Sequence, residues 1–182
     1  MNDRSFRTRA IHVGNEIDAT PGAVVPPIHL ARTYRHDVAG CDLYGGEYRL
    51  LHQICDRSGI DVTLVDMTDD DAVSSAITER TKLIWAETIG NPRLTIPDLS
   101  ALAKIAKQKG VLIGVENTFG TPALIRPLEH GIDIVMHSAT KYLGGHSDCM
   151  GGTLAVADQA LFDRLCFIQS ATGAVLDPLT SI

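Results

Sequence analysis

The chain has 182 residues, of which 45% are hydrophobic and 21% charged. That is the profile of an ordinary soluble domain able to bury a core. Sixteen Lys and Arg against twenty-two Asp and Glu leave a net charge of −6, which argues against a general nucleic-acid binder, though not against a small phosphate site. No apolar run approaches the ~20 residues of a membrane span, and MNDRSFRTRA lacks the apolar centre of a secretory leader. The four cysteines, Cys41, Cys55, Cys149 and Cys166, include no CxxC pair. Neither a thiolate zinc site nor a disulfide framework is therefore expected, and the expected compartment is a reducing cytoplasm.

Residues 1–40 show no convincing regular element, and Pro26 and Pro27 impose an extended path. The segment AVVPPIHL reads as an arm lying on another surface. From residue 42 the pattern alternates between helix and strand. Asp42 is positioned to cap a helix from about Tyr44 to Asp56, with Gly59 ending it. DVTLVD over Asp61–Asp66 reads as a strand, Asp69–Ile77 as a short helix, and KLIWA over Lys82–Ala86 as a buried strand. Pro97 and Asp98 open a helix through Lys109 that Gly110 stops. Val111–Val115, Asp133–Met136 and Gly152–Val156 read as strands, and Asp158–Gln169 as a closing helix.

Apolar strands separated by amphipathic helices predict an α/β fold with a mostly parallel sheet covered by helices. Ligands in such folds sit beyond the carboxyl ends of the strands. That rule selects Glu87–Asn91, Glu116–Thr121 and His137–Tyr142, with Asp66–Asp69 beside them.

At those ends, Glu116 directly follows VLIGV. A carboxylate there needs a partner, either a protonated ring nitrogen or the backbone donors of its own loop. Lys141 lies in HSATKYLGG, beside Ser138 and Thr140, and suits an amine nucleophile or a phosphate contact. His137 and His146 flank this loop, and His137 reads as structural. No GxGxxG after a strand, GxxxxGK[ST], HExxH or GxSxG occurs, so common nucleotide, zinc and serine-hydrolase chemistries lack support.

The segments VENTFGTP (115–122) and HSATKYLGGHSD (137–148) closely resemble the Cys/Met-metabolism family of pyridoxal-phosphate enzymes. TRAIH (8–12), GAVVPPI (22–28), DLYGGEY (42–48) and ETIGNP (87–92) resemble further parts of it. The resemblance implies the large domain of the aminotransferase type, fold type I. It implies transsulfuration chemistry on cystathionine, methionine or an O-acylhomoserine, as a carbon–sulfur lyase or a γ-replacement transferase. Lys141 would hold pyridoxal 5'-phosphate and shuttle protons, and Glu116 would pair with its ring nitrogen. Tyr44 would stack on the ring, Ser138 and Thr140 would touch the phosphate, and Asn91 would lie near the phenolic oxygen or the substrate carboxylate. A homotetramer in the cytoplasm is the family's expected state, with no metal, nucleic acid or membrane as partner.

Two departures stand out. The family normally carries Asp where this chain has Glu116. The extra methylene calls for a shift of about 1 Å, a misplacement that can cost ~10²-fold in rate. Between Tyr34 and Tyr44 the chain also lacks some tens of residues that, by resemblance, hold a Tyr-Ser-Arg segment and a Ser-Gly-Met phosphate loop. A C-terminal domain, with the arginine for the substrate carboxylate, is expected to be missing as well. The expected organisation is an arm (1–40), an incomplete cofactor-binding domain (41–170) and a truncated linker (171–182). Besides a working enzyme, two readings stand: an impaired remnant, and a non-catalytic fragment that docks on a full-length homologue.

Overall fold

The computed structural model describes residues 36–176. Residues 1–35 of the expected arm (1–40) and the last residues of the expected linker, 177–182, lie outside the described residues. A six-stranded sheet in the order β2-β1-β3-β4-β5-β6 forms the centre. Its strands are β1 (His36–Gly40), β2 (Asp61–Val65), β3 (Thr81–Glu87), β4 (Leu112–Glu116), β5 (Ile134–Ser138) and β6 (Gly152–Val156). The first five run parallel and β6 is antiparallel to β5. The strands expected at 111–115 and 133–136 are adjacent, with Gly114 opposite Ile134 and Glu116 opposite Met136.

β1 corrects the reading of residues 1–40 as lacking regular structure. All five of its residues are buried, and it lies between β2 and β3. His36 and Asp37 conceal its apolar signal in the sequence. The His36 ring is satisfied inside the sheet by the hydroxyls of Thr81 (2.6 Å) and Thr63 (3.0 Å).

The helices are set by their ends. α1 (Gly45–Arg49) runs on into a π segment (Leu50–Cys55) and a 3-10 turn (Asp56–Ser58) that Gly59 closes in left-handed geometry. A single α-helix over Tyr44–Asp56 was expected from the sequence, with Asp42 as its cap. Asp42 instead accepts from the Arg93 amide (3.1 Å) and the Thr95 hydroxyl (2.8 Å), so its carboxyl pins another loop. α2 (Asp70–Ala76), α3 (Leu99–Lys109), a one-turn α4 (Thr121–Leu124) and α5 (Gln159–Thr172) follow. Asp69, Asp98 and Asp158 each cap a helix start through the carboxylate, satisfying amides the first turn leaves without partners.

One face of the sheet carries the main core. Val38, Ile84, Ile113, Val115 and Val135 meet Val73 of α2 and Leu99, Leu102 and Ala106 of α3. Burying such side chains stabilises a fold by about 1.5–3 kcal/mol each. The opposite face carries Leu83, Leu112 and Ile134, which line a shallow groove with Leu161, Leu165 and Ile168 of α5. On this second face Trp85 lies against Gly114, where an added Cβ would fall 2.6 Å from the indole. Glu87 and Glu116 continue the same face toward the carboxyl edge of the sheet, paired in register. Among the described residues, no helix is long and apolar enough to cross a membrane.

Candidate functional site

Because β1, β3, β4 and β5 run parallel, their carboxyl ends open onto one edge. Tyr44 follows β1, Asn91 follows β3, Glu116 ends β4, and Ser138, Thr140 and Lys141 close and follow β5. All six site residues expected from the sequence therefore lie at that edge. The chain leaves β1 toward β2 on one side and places β3 on the other. This is a point of topological reversal, where α/β sheets open a crevice. A cavity of about 30 Å³, room for one water, lies there among Gly40, Asp42, Asp66, Glu87, Gly90 and Arg93.

Glu116 is 8% exposed. Burial pushes its carboxyl up to about 7, Thr118's amide works against that, and the nearby charge of Glu87 adds to it. Its Oε1 accepts from the Thr118 amide at 2.9 Å and from the Thr118 hydroxyl. The same hydroxyl accepts from the Ser138 amide at 2.7 Å. One threonine thus connects the buried carboxyl to the start of the lysine loop. Its neighbour Asn117 is wholly buried, accepting from the Thr88 hydroxyl (2.7 Å) and donating to the Ile125 carbonyl (2.9 Å). Sequence reasoning named the two ends of the Glu116–Ser138 link and missed Thr118. Its only signal was a hydroxyl residue two positions after a strand-end acid.

The lysine loop is a π turn over Ala139–Leu143, and Lys141 breaks its helical path at φ −102°, ψ −123°. The Gly144 amide closes the turn on the Ala139 carbonyl at 2.8 Å. A Cβ at Gly144 would run into that same carbonyl oxygen, so this close approach requires glycine. Lys141 is exposed. Thr140 was expected to touch a phosphate. Its hydroxyl instead accepts from the Gly151 amide (3.0 Å) and donates to the Gly151 carbonyl (3.3 Å), tying the loop to the start of β6. The Ser138 hydroxyl is half-buried at the same edge. His137 is buried, in keeping with a structural reading, and burial holds its ring below the usual range.

Tyr44 is 55% exposed, and its amide donates to Glu87 Oε1 at 2.6 Å. Asn91 is half-buried in the turn that Asp42 pins, and the Gly90 amide bonds to the Thr95 carbonyl at 2.8 Å. Two acids join this neighbourhood, and the sequence reading gave neither a role. Glu87 is 4% exposed, and Glu47 of α1 accepts from the Trp85 indole at 3.2 Å.

The donor set fits a pyridine ring at its nitrogen end. Glu116 is buried, and the charged neighbour that weighs on it is another acid. A protonated ring nitrogen would add to the Thr118 donors the positive charge that this neighbourhood does not supply.

Comparison with known proteins agrees. A sequence model of the family described as Cys/Met metabolism PLP-dependent enzyme matches residues 36–182. A cystathionine beta-lyase of Coxiella burnetii is 36% identical over 233 residues, covering 96% of this chain and 60% of the relative. A cystathionine gamma-lyase of Bacillus subtilis is 46% identical over 159 residues, 87% of this chain and 42% of the relative. A crystal structure of cystathionine gamma-lyase from Lactobacillus plantarum, complexed with L-serine, superposes with a TM-score of 0.79 at 43% identity. It covers 80% of this chain and 38% of that one. The chain thus spans between about four-tenths and six-tenths of these relatives. The Coxiella alignment, at 233 residues, is longer than the 182 of this chain, so it opens gaps opposite residues that this chain lacks.

Proposed function

Because this chain belongs to the Cys/Met-metabolism family of pyridoxal-phosphate-dependent enzymes, we propose that its sheet edge forms the lysine side of a cofactor pocket. The link from Glu116 through Thr118 to the Ser138 amide carries the reading, since it joins the ring-nitrogen carboxylate to the lysine loop. Bound pyridoxal phosphate would supply an electron sink that stabilises negative charge at an amino acid's α-carbon. Lys141 would hold its aldehyde carbon through the side-chain amine and move the proton at the substrate α-carbon. Glu116 would accept from the ring nitrogen and keep it protonated. Tyr44 would cover the ring face, Ser138 and Thr140 would face the phosphate, and Asn91 would sit near the phenolic oxygen or the substrate carboxylate. For Thr140 this requires giving up the Gly151 carbonyl.

The reaction class is that of sulfur amino acid metabolism: a carbon–sulfur lyase or γ-replacement transferase of the cystathionine γ-synthase or γ-lyase type. The substrate would be cystathionine, methionine or an O-acylhomoserine. The assembly expected for the family is a homotetramer, and the compartment is the cytoplasm. The gapped alignment favours a second reading, a catalytically impaired remnant or a fragment that docks on a complete homologue. By the resemblance, the residues missing between Tyr34 and Tyr44 would include a phosphate loop at a helix N-terminus, and a phosphate dianion would lose those amide donors.

Titration of the chain with pyridoxal phosphate, followed by visible absorbance, tests the pocket. We expect weak binding whose specific part disappears in Lys141→Ala. Equal absorbance from variant and parent would mean that surface lysines produce the signal, and the pocket reading would fall. Assays for α-keto acid or new thioether product separate the two activity readings. The remnant reading expects no measurable turnover, whereas rates near ~1 s⁻¹, within the ordinary enzyme range, would establish a working enzyme.

A further inference from the structure

We infer that Glu47 on α1 and Glu87 at the end of β3 form a proton-shared clasp that holds Tyr44 at the mouth of the site. Both carboxyls are thus positioning residues for that ring. The inference rests on the proposed placement of Tyr44 over the cofactor, but the clasp itself is a feature of this chain's own side chains.

Glu87 Oε1 takes the Tyr44 amide at 2.6 Å. Glu47, three residues further on, sends Oε1 to the Trp85 indole at 3.2 Å. Its second oxygen, Oε2, is buried without a donor among the described residues. Glu87 follows Trp85 by two residues on the same face of β3, which puts it beside the Glu47 carboxyl that the indole holds, and each acid weighs on the other. Two carboxylates in that position repel and leave Oε2 without a partner. A single proton between them removes the repulsion and gives that oxygen its bond.

Among the described residues, little else holds α1 down. The helix buries none of its residues, and Tyr44 and Tyr48 are about half exposed. Leu43, just before it, is buried and fixes only the entry of the chain. Among the described residues, the other charged groups that weigh on the pair are Glu116 from β4 and Asp42 after β1. Both are acids, and neither can neutralise it. The donors nearby are the Trp85 indole and the amides of Tyr44 and Asn91. Burial first, and then the charge of Glu87, hold the Glu47 carboxyl well above the ordinary range. The pair gives up its shared proton as a unit, not as two separate acids. Once it is lost, repulsion opens α1 and Tyr44 leaves with it.

Trp85 is the single tryptophan of the chain and bonds directly to the clasp. Its emission should therefore follow pH in the full 182-residue chain without cofactor. We expect one transition above the ordinary carboxyl range of about 4–5, a shift to longer wavelength, with far-UV circular dichroism unchanged through it. Hydrogen exchange at the Tyr44 amide should lose protection over the same interval. In E47Q the side-chain amide can donate to Glu87 at every pH, so the emission shift should vanish. E87Q reverses the donor and should give the same loss if E47Q folds poorly. A transition at ordinary carboxyl pH overturns the clasp. So does one that persists in both variants, or a Tyr44 amide that stays protected throughout. The outcome is separable from the pocket reading. An emission shift without any Lys141-dependent absorbance leaves the clasp standing and removes the pocket, and the converse result removes the clasp alone.

Discussion

The Ser138 backbone amide donates to the Thr118 hydroxyl at 2.7 Å, across the boundary between β5 and β4. That bond makes the strand-end carboxyl of Glu116 and the lysine loop parts of one local structure. The Thr118 hydroxyl also donates to Glu116 Oε1, so a single side chain both gives and receives there.

Thr118→Val keeps the shape and removes the hydroxyl. The Ser138 amide then loses its acceptor and Glu116 loses a donor. We expect a loss of about 1–3 kcal/mol in urea unfolding, the usual cost of an unsatisfied buried polar group. Thr118→Ser keeps the oxygen and should recover most of it. Equal midpoints for the Val variant and the parent would remove the threonine link from the account.

The pH dependence of stability follows from Glu116. Burial raises its carboxyl from the ordinary 4.5 to about 7 in the folded chain. A group that binds its proton more tightly when folded favours folding at low pH. That advantage is complete below about 4.5 and is lost as pH rises through about 7. Glu47 and Glu87, raised in the same direction by burial, extend the decline to higher pH. Unfolding midpoints should fall between pH 5 and 8, and Glu116→Gln should flatten the lower part of that slope. A steeper slope in the variant would contradict the assignment.

Asp37 sits in the buried strand β1 with Oδ1 lacking a hydrogen-bond partner among the described residues, and burial pushes its carboxyl up to about 6. Asp37→Val removes an unsatisfied group and supplies a residue that suits a strand. The thermal midpoint should rise, and rise more at pH 8 than at pH 5, where the parent carboxyl is already largely protonated. A variant less stable than the parent at pH 8 would show that the carboxylate has a partner in solution.

Gly144→Ala places a Cβ against the Ala139 carbonyl. The turn that holds Lys141 must then open. Overpacking of this kind costs about 1–3 kcal/mol, and proteolytic cleavage near 139–145 should accelerate. Gly45→Ala is the control, since a Cβ there meets nothing within 4 Å. Similar cleavage rates for both variants would indicate that the close approach at Gly144 is unimportant.

The closing helix came close to its expected limits because its signals are local. Asp158 caps α5 through its own carboxylate, and the helix runs to Thr172, three residues beyond the expected Gln169 boundary, where Gly173 closes it in left-handed geometry. The same holds for α3, between Asp98 and Gly110. The five strands from β2 to β6 were legible as apolar runs, and Glu116 and Lys141 as reactive residues at strand ends. Where local chemistry decides, adjacent residues carry the information.

β1, Asp42 and Thr140 were decided otherwise. β1 is a strand because neighbours on both sides complete its hydrogen bonds and Thr81 and Thr63 satisfy His36, none of which HDVAG announces. Asp42 had the sequence of a cap, yet its carboxyl is held by Arg93 and Thr95, some fifty positions away. The Thr140 hydroxyl had the sequence of a phosphate contact and is engaged by Gly151. The bond from the Trp85 indole to Glu47 depends on α1 lying over β3. The sequence by itself determined the α/β class, most of the elements and the family's lysine motif. Only the tertiary structure decided which hydrogen-bonding groups meet, because a side chain with several possible partners is settled by what the fold brings within about 3 Å of it.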